Sequence, residues 1–466
     1  MNKITQIHQE AKQALDRISP SMCVAKWKQV TIHLQNGHTH SCHHPGTHKV
    51  PLEEIKVNVS ALHNTNFKKE QRRLMLEGVR PHECGYCWKV EDNSNQYSDR
   101  ITKSSEAWAR PHLDTIVSKP WDDNVSPSYL EVSLSNVCNF KCSYCSPNIS
   151  SQWMDEIQRY GHYPTTTQFN GLYHFQNAGQ MPIPNNQENP YVEAFWQWWP
   201  EIYPTLEHFR ITGGEPILSK DTFRVLEHII ANPNPNLTLS VNTNMNPPDQ
   251  LYDRFLELVK QIVDNKLVKD FKIYTSAEAH GTNAEYIRNG MDYRGWLANM
   301  NKTLTTLPSV QVIIMSTYNF LSMPTYRRFL EDVLDFKLRY FKPGTDQSPV
   351  ILSIPFLRNP THQTAFILEP EHLHWIEESI EYMKANMEAS RPRSMGHRGF
   401  YEHEVNQLVR IKEMLEGELT KRVDSDKIRN RLDFCRFVDE HDRRRGTNFL
   451  ETFPELAPAY HRWKQY

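Results

Sequence analysis

No stretch of 18 apolar residues occurs anywhere in these 466 residues, which argues against a membrane-spanning helix. Nor is one sign of charge in excess. Lys and Arg number 53 against 55 Asp and Glu, so no general basic field marks nucleic acid as an obligatory partner. Internal repeats and low-complexity tails are lacking. Eight cysteines are few for a disulfide framework in a chain of this size. Seven of them fall in tight groups, the pattern of metal ligation in a reducing compartment. The first residues carry Ile4, Ile7, Ala11, Ala14, Leu15 and Ile18 at helical spacing, an amphipathic helix rather than a signal peptide. Cytoplasmic localisation is the expectation.

What is present suffices for two or three domains, since 38% of the residues are apolar. Trp27 to Cys42 reads as a hairpin, because VTIHLQ and HTHSC flank Asn36-Gly37. Phe67 to Glu77 has helical character and stops at Gly78, after which RPHECGYCW places Cys84 and Cys87 on a turn. Residues 93–127 are polar, with several prolines and serines, and read as a connector.

From about residue 128, strands alternate with helices. YLEVSLS, HFRIT, LTLSVNTN, FKIYTSA, VQVIIMSTY and VILSIPF supply six strands. Ser219 can cap a helix that ends before Pro233, and further helical spacers lie near 251–262, 292–304 and 323–338. Repeated βα units imply a parallel sheet or barrel with functional groups at the C-terminal strand ends. Residues 158–192 interrupt the pattern as an irregular insertion ending in Phe195, Trp196, Trp198 and Trp199, which either pack a helix or face a substrate.

The chemistry rests on Cys138-Asn-Phe-Lys-Cys142-Ser-Tyr-Cys145, just past a strand. Three thiolates can each ligate one iron of a cubane, leaving the fourth iron open to a ligand. Gly213-Gly214-Glu215-Pro216 follows the next strand. Its glycines permit close backbone approach, and Glu215 offers a carboxylate to an ammonium group.

The C-x3-C-x2-C spacing with Tyr144 before the last cysteine, followed by the GGEP segment, resembles the radical S-adenosylmethionine (SAM) superfamily. The resemblance covers roughly residues 126–360. It implies a partial (β/α)6 TIM-like barrel, a [4Fe-4S] cluster on Cys138, Cys142 and Cys145, and SAM contacts from Tyr144, Gly213, Gly214, Glu215 and Pro216. By the same analogy Asn242, Thr243, Ser276 and Arg288 are candidates for the SAM ribose and carboxylate.

The N-terminal cysteines, Cys23 and Cys42 about a hairpin and Cys84 with Cys87, are similar to the pattern of SPASM and twitch domains, which hold auxiliary Fe-S clusters. In most such enzymes this unit follows the barrel; here it precedes it. A hairpin plus a CxxC turn also builds structural zinc sites, and His40 or His43 could then replace a thiolate. Cys435, apolar-flanked in RLDFCRFVDEHD, reads as a small buried residue.

The expected organisation is therefore α/β: a small α+β cysteine-rich twitch-like domain (1–95), a connector (96–127), a radical SAM core (128–360) and a helical C-terminal region (361–466). The resemblance implies an oxidoreductase-type maturase that cleaves SAM to a 5′-deoxyadenosyl radical and abstracts a substrate hydrogen. A peptide or protein substrate and an electron donor such as flavodoxin or ferredoxin are implied, with no membrane and no nucleic acid. Competing readings are a radical SAM enzyme acting on RNA or a small molecule, and a non-catalytic Fe-S or zinc module.

Overall fold

Alternating apolar residues bury one face of each strand, and this pattern organises the computed structural model, which describes residues 3–342, 348–388 and 399–466. The strands are β1 (Gln29–His33), β2 (His38–His40), β3 (His48–Lys49), β4 (Tyr129–Ser133), β5 (Lys141–Cys142), β6 (His208–Thr212), β7 (Asn234–Asn242), β8 (Val268–Ser276), β9 (Arg288–Asn289), β10 (Gln311–Met315) and β11 (Val350–Ser353). Nine of them form one sheet in the order β11-β10-β8-β7-β6-β4-β1-β2-β3, while β5 and β9 pair separately. Strands β4, β6, β7, β8, β10 and β11 are parallel neighbours in chain order, the six strands expected of a partial (β/α)6 barrel.

The helices between them cover the apolar face. Val132, Ile211, Val241, Ile273, Ile314 and Leu352 are buried beneath Lys220–Ala231, Asp249–Asp264, Tyr293–Thr306 and Tyr326–Arg339. Helix Pro190–Ile202 joins the same core through Phe195, Trp198 and Trp199, so this aromatic cluster packs a helix.

The predicted hairpin forms, with Gly37 in the left-handed region at φ 64°. It does not stand apart. β1 lies parallel to β4 over five register pairs, Gln29 opposite Tyr129 through His33 opposite Ser133, so the N-terminal unit extends the sheet of the core. A second, smaller core lies beside it and includes Ala11, Leu15, Trp27, Met75, Trp88, Ile101, Trp108 and Ile116. Residues 96–127, expected as a connector, thus contribute Ile101 and Ile116 to that core from helices Asp99–Ser105 and Leu113–Val117, and Trp108 from the turn between them. No helix among the described residues is long and apolar enough to cross a membrane.

Candidate functional site

The cysteine loop leaves the C-terminal end of β4 and is held by its own polar residues. Ser151 Oγ accepts from the Cys138 amide at 3.1 Å, and Ser150 Oγ donates to the Phe140 carbonyl at 2.9 Å. Trp153 Nε1 donates to the Cys142 carbonyl at 2.7 Å from helix Ser151–Tyr160. Cys138, Cys142 and Cys145 are all partly exposed. Burial, then the neighbouring Cys142 thiol, pushes Cys145 up to about 12, and burial raises Cys138 and Cys142 as well.

The GGEP segment at the end of β6 is locked onto this loop. The Gly214 amide donates to Ser135 O at 3.0 Å and the Glu215 amide to Val137 O at 2.7 Å. A Cβ on Gly213, whose φ is 125°, would sit 2.6 Å from Ser135 O, and one on Gly214 would run into Val137 O. The close approach that the sequence assigned to a ligand is therefore made to the cysteine loop. Glu215 is buried, and its carboxylate accepts from the Ile217 amide at 3.1 Å and the Asn244 amide at 2.6 Å. Pro216 starts the short turn that follows, and its carbonyl accepts from Thr222 Oγ1 at 2.7 Å.

The other predicted SAM contacts divide. Ser276 stands half-buried at the end of β8. Asn242, at the end of β7, accepts from Arg210 Nε at 3.0 Å, and Thr243 Oγ1 accepts from the Met245 amide at 3.0 Å. Arg288 is not set out toward a SAM carboxylate. Its Nε and Nη2 lie 2.8 and 2.7 Å from Glu278 Oε2, Nη2 also donates to Tyr144 OH at 2.6 Å, and Nη1 donates to Cys142 Sγ at 3.7 Å. Tyr144 OH in turn donates to Glu278 Oε1 at 3.0 Å. Glu278 was absent from the sequence reading, although it stands two residues past β8, where catalytic groups collect in such folds.

Two further contributors come from the C-terminal region. Arg445, the last residue of helix Ser425–Arg445, donates to Lys141 O at 2.6 Å and pairs with Glu156 at 3.0 Å, while Gln363 Nε2 donates to Ser143 O at 3.1 Å. The polar face of the sheet was also missed. Arg210 lies over the Tyr274 ring at 4.1 Å and 3.9 Å from Glu131, and Gln29 Oε1, Thr31 Oγ1 and Glu131 Oε2 are buried with no hydrogen-bond partner among the described residues. Parallel sheets are ordinarily apolar on both faces, so a polar face on this one is a departure.

Cys23, Cys42, Cys84 and Cys87 line one cavity together with Lys26, His44, Asp99, Arg100 and Lys103. Cys84 ends a short turn and Cys87 sits in the first turn of helix Gly85–Asn93, rather than both lying on a loop. Burial pushes Cys42 and Cys87 up to about 12 and Cys84 to about 11. Neither His40 nor His43 lines the cavity. His40 Nδ1 bonds the Cys42 carbonyl and its Nε2 is 3.3 Å from His33, whereas His43 Nε2 is 3.5 Å from Gln29 Nε2. His44 does line it, with Nε2 2.6 Å from Asp99. Cys435 is buried, and its Sγ donates to Tyr460 O at 3.6 Å.

The chain is 31% identical over 105 residues to GTP 3′,8-cyclase of Pasteurella multocida, covering 22% of this chain and 23% of that one. It is 28% identical over 150 residues to the enzyme of the same name from Psychromonas ingrahamii, covering 32% and 35%. These matches make the chain similar, over those segments, to radical SAM enzymes. It spans about a quarter to a third of the length of the curated relatives it matches. No family model matches it. Among solved structures, Streptococcus suis SuiB bound to precursor peptide SuiA matches at 12% identity with a TM-score of 0.34, over 78% of this chain and 69% of that one. SuiB bound to S-adenosylmethionine matches at 13% with a TM-score of 0.35. The similarity to radical SAM enzymes implies one [4Fe-4S] cluster and SAM.

Proposed function

We propose that this protein is a radical SAM oxidoreductase of the maturase type, with its SAM-binding cluster on Cys138, Cys142 and Cys145 and an auxiliary Fe-S cluster on Cys23, Cys42, Cys84 and Cys87. The observation that carries the reading is the triad loop itself. Three cysteines lie on one loop at a strand end, and the GGEP backbone is bonded directly to that loop. When bound, the cluster and SAM supply a 5′-deoxyadenosyl radical that removes a hydrogen atom from substrate.

This chain's own residues position and enclose. Glu215, anchored by two amides, keeps lone pairs for an ammonium group, and the half-buried Ser276 offers a hydroxyl from β8. Asn242, Arg210, Glu131 and Tyr274 form a linked polar group on the same sheet. By the twitch and SPASM resemblance the substrate is a peptide or protein, and a flavodoxin or ferredoxin delivers the electron.

One feature favours an iron-sulfur cluster over zinc at the N-terminal cysteines. A tetrahedral zinc with bonds of about 2.3 Å draws its sulfurs to within roughly 3.8 Å of each other. No three cysteine sulfurs here lie within 4.8 Å of one another, a spread that suits ligands on separate irons. The surroundings are also rich in cations. Lys26 pairs with Glu83 and Arg100 with Glu91, but Lys68 and Arg72, both fully buried, bond only neutral groups and carbonyls among the described residues. A buried surplus of this kind suits an anionic tetrathiolate centre, iron-sulfur or zinc alike.

The test is anaerobic reconstitution with iron, sulfide, dithionite and SAM. The protein should carry about eight irons and release 5′-deoxyadenosine. Alanine at Cys138, Cys142 or Cys145 should abolish that release. Alanine at all four N-terminal cysteines should leave about four irons and SAM cleavage. Undiminished release from the three triad variants would refute the assignment, and stoichiometric zinc in place of the extra iron would reduce the N-terminal site to a structural clip.

A further inference from the structure

Arg288 is the residue whose surroundings point past the family pattern. β5 and β9 place it directly opposite Cys142, and the Ser143 amide donates to Ile287 O at 2.6 Å, so two short strands clamp the triad loop to the segment after β8. Gly290 closes the clamp: its φ is 105°, and a Cβ there would meet Asn139 O at 2.7 Å. The guanidinium has little freedom inside this clamp. Its Nε and Nη2 edge is spent on Glu278 and on Tyr144 OH, which turns Nη1 toward Cys142 Sγ. Both members of the ion pair are at least nine-tenths buried, with side chains 8% and 1% exposed for Arg288 and Glu278.

Resting on the cluster assignment above, we propose that Arg288 is a positioning residue for the Cys142 thiolate and sets the reduction potential of the cluster that Cys142 ligates. Hydrogen bonds to ligand sulfurs and the charge near a cluster are the protein's main means of moving its potential. A fixed N–H donor on the sulfur favours the more reduced, more negative cluster and raises the potential. Glu278 acts in the opposite sense, and it also aims the donor. The guanidinium fork can bond Glu278, Tyr144 and Cys142 simultaneously, which a lysine ammonium cannot do in the same plane.

The experiment is a redox titration of the reconstituted full-length protein, followed by electron paramagnetic resonance. The triad cluster is recognised by the change its signal undergoes when SAM is added. Arg288→Gln should lower its midpoint potential, Glu278→Gln should raise it, and Arg288→Lys should fall between Arg288→Gln and wild type. SAM affinity of Arg288→Lys should stay within about twofold of wild type, because the guanidinium is committed away from the cofactor. A purely structural ion pair would cost stability in both glutamine variants without moving the potentials in opposite directions. Unmoved potentials in variants that load a SAM-responsive cluster would overturn the inference while leaving the cluster assignment intact. So would a large loss of SAM affinity at constant potential in Arg288→Lys. If the Gln variants fail to load iron, the Lys variant carries the test. A wild-type protein with no SAM-responsive cluster would overturn the cluster assignment and the inference together.

Discussion

Gly214 and Val137 touch backbone to backbone, and a Cβ on Gly214 would occupy the space of the Val137 carbonyl oxygen. The segment that reads as a cofactor motif is thus also the brace of the loop carrying Cys138. Gly214→Ala should displace that loop and lower iron loading at the triad, to about four irons per chain once the N-terminal site is filled. Iron analysis checks this, and eight irons in the variant would show that the loop tolerates the shift.

Glu215 predicts a pH dependence. Burial drives its carboxyl from the ordinary 4.5 up to about 7, against the pull of the Asn244 and Ile217 amides. The folded chain therefore holds this proton at pH values where the unfolded chain has released it. The cost of ionising the buried group grows as pH rises from 4.5 to 7 and is constant above, on the order of 3 kcal/mol in all. Denaturation of the metal-free protein should show stability falling across that window, and Glu215→Gln should remove this component of the slope.

Arg445 ties the C-terminal helix to the cysteine loop. Against the upward push of burial, its bonds and charge help hold the Glu156 carboxyl down to about 2, with Lys141 and Tyr163 as the other partners. Arg445→Ala leaves a carboxylate that is 2% exposed short of its main partner and should destabilise the protein by about 3 kcal/mol. A shift in the denaturation midpoint measures this. A loss below about 1 kcal/mol would mean that Lys141 alone compensates the charge.

Cys435 should behave as a core residue. Burial pushes its thiol up to about 12. Cys435→Ala should leave iron content and 5′-deoxyadenosine release unchanged, and a maleimide at pH 8 should not label Cys435 in the native protein. Loss of release in the variant would move this cysteine into the reaction.

The elements that were legible in sequence are those whose signals are local. HFRIT forms β6 with the predicted bounds, and the helix expected near 323–338 forms over Tyr326–Arg339, because strand alternation and helical spacing are short-range patterns. The triad and Gly213 to Pro216 were legible because their spacing is itself the signal. The ion pair of Arg288 and Glu278 was not, since ten residues separate the two and only the turn after β8 brings them together. The hairpin's attachment to β4 joins residues a hundred positions apart, and no turn or periodicity encodes that partner. Residues 96–127 were misjudged as a connector because their apolar residues, Ile101, Trp108 and Ile116, are few and scattered among polar ones, yet each finds the N-terminal core.

The register of β1 on β4 has a mechanical consequence. Cys23 and Cys42 bracket the hairpin, Cys138 follows β4, and ten backbone partners lock these two strands side by side. Cys23, Cys42 and Cys138 thus flank strands of one sheet, while Cys84 and Cys87 stand on a turn and a helix off it. The gap an electron would have to tunnel across is then set by the sheet, so the rate of exchange between the sites should be indifferent to solvent viscosity. Amide protons of β1 should likewise exchange with deuterium at the pace of β4, as members of one cooperative unit.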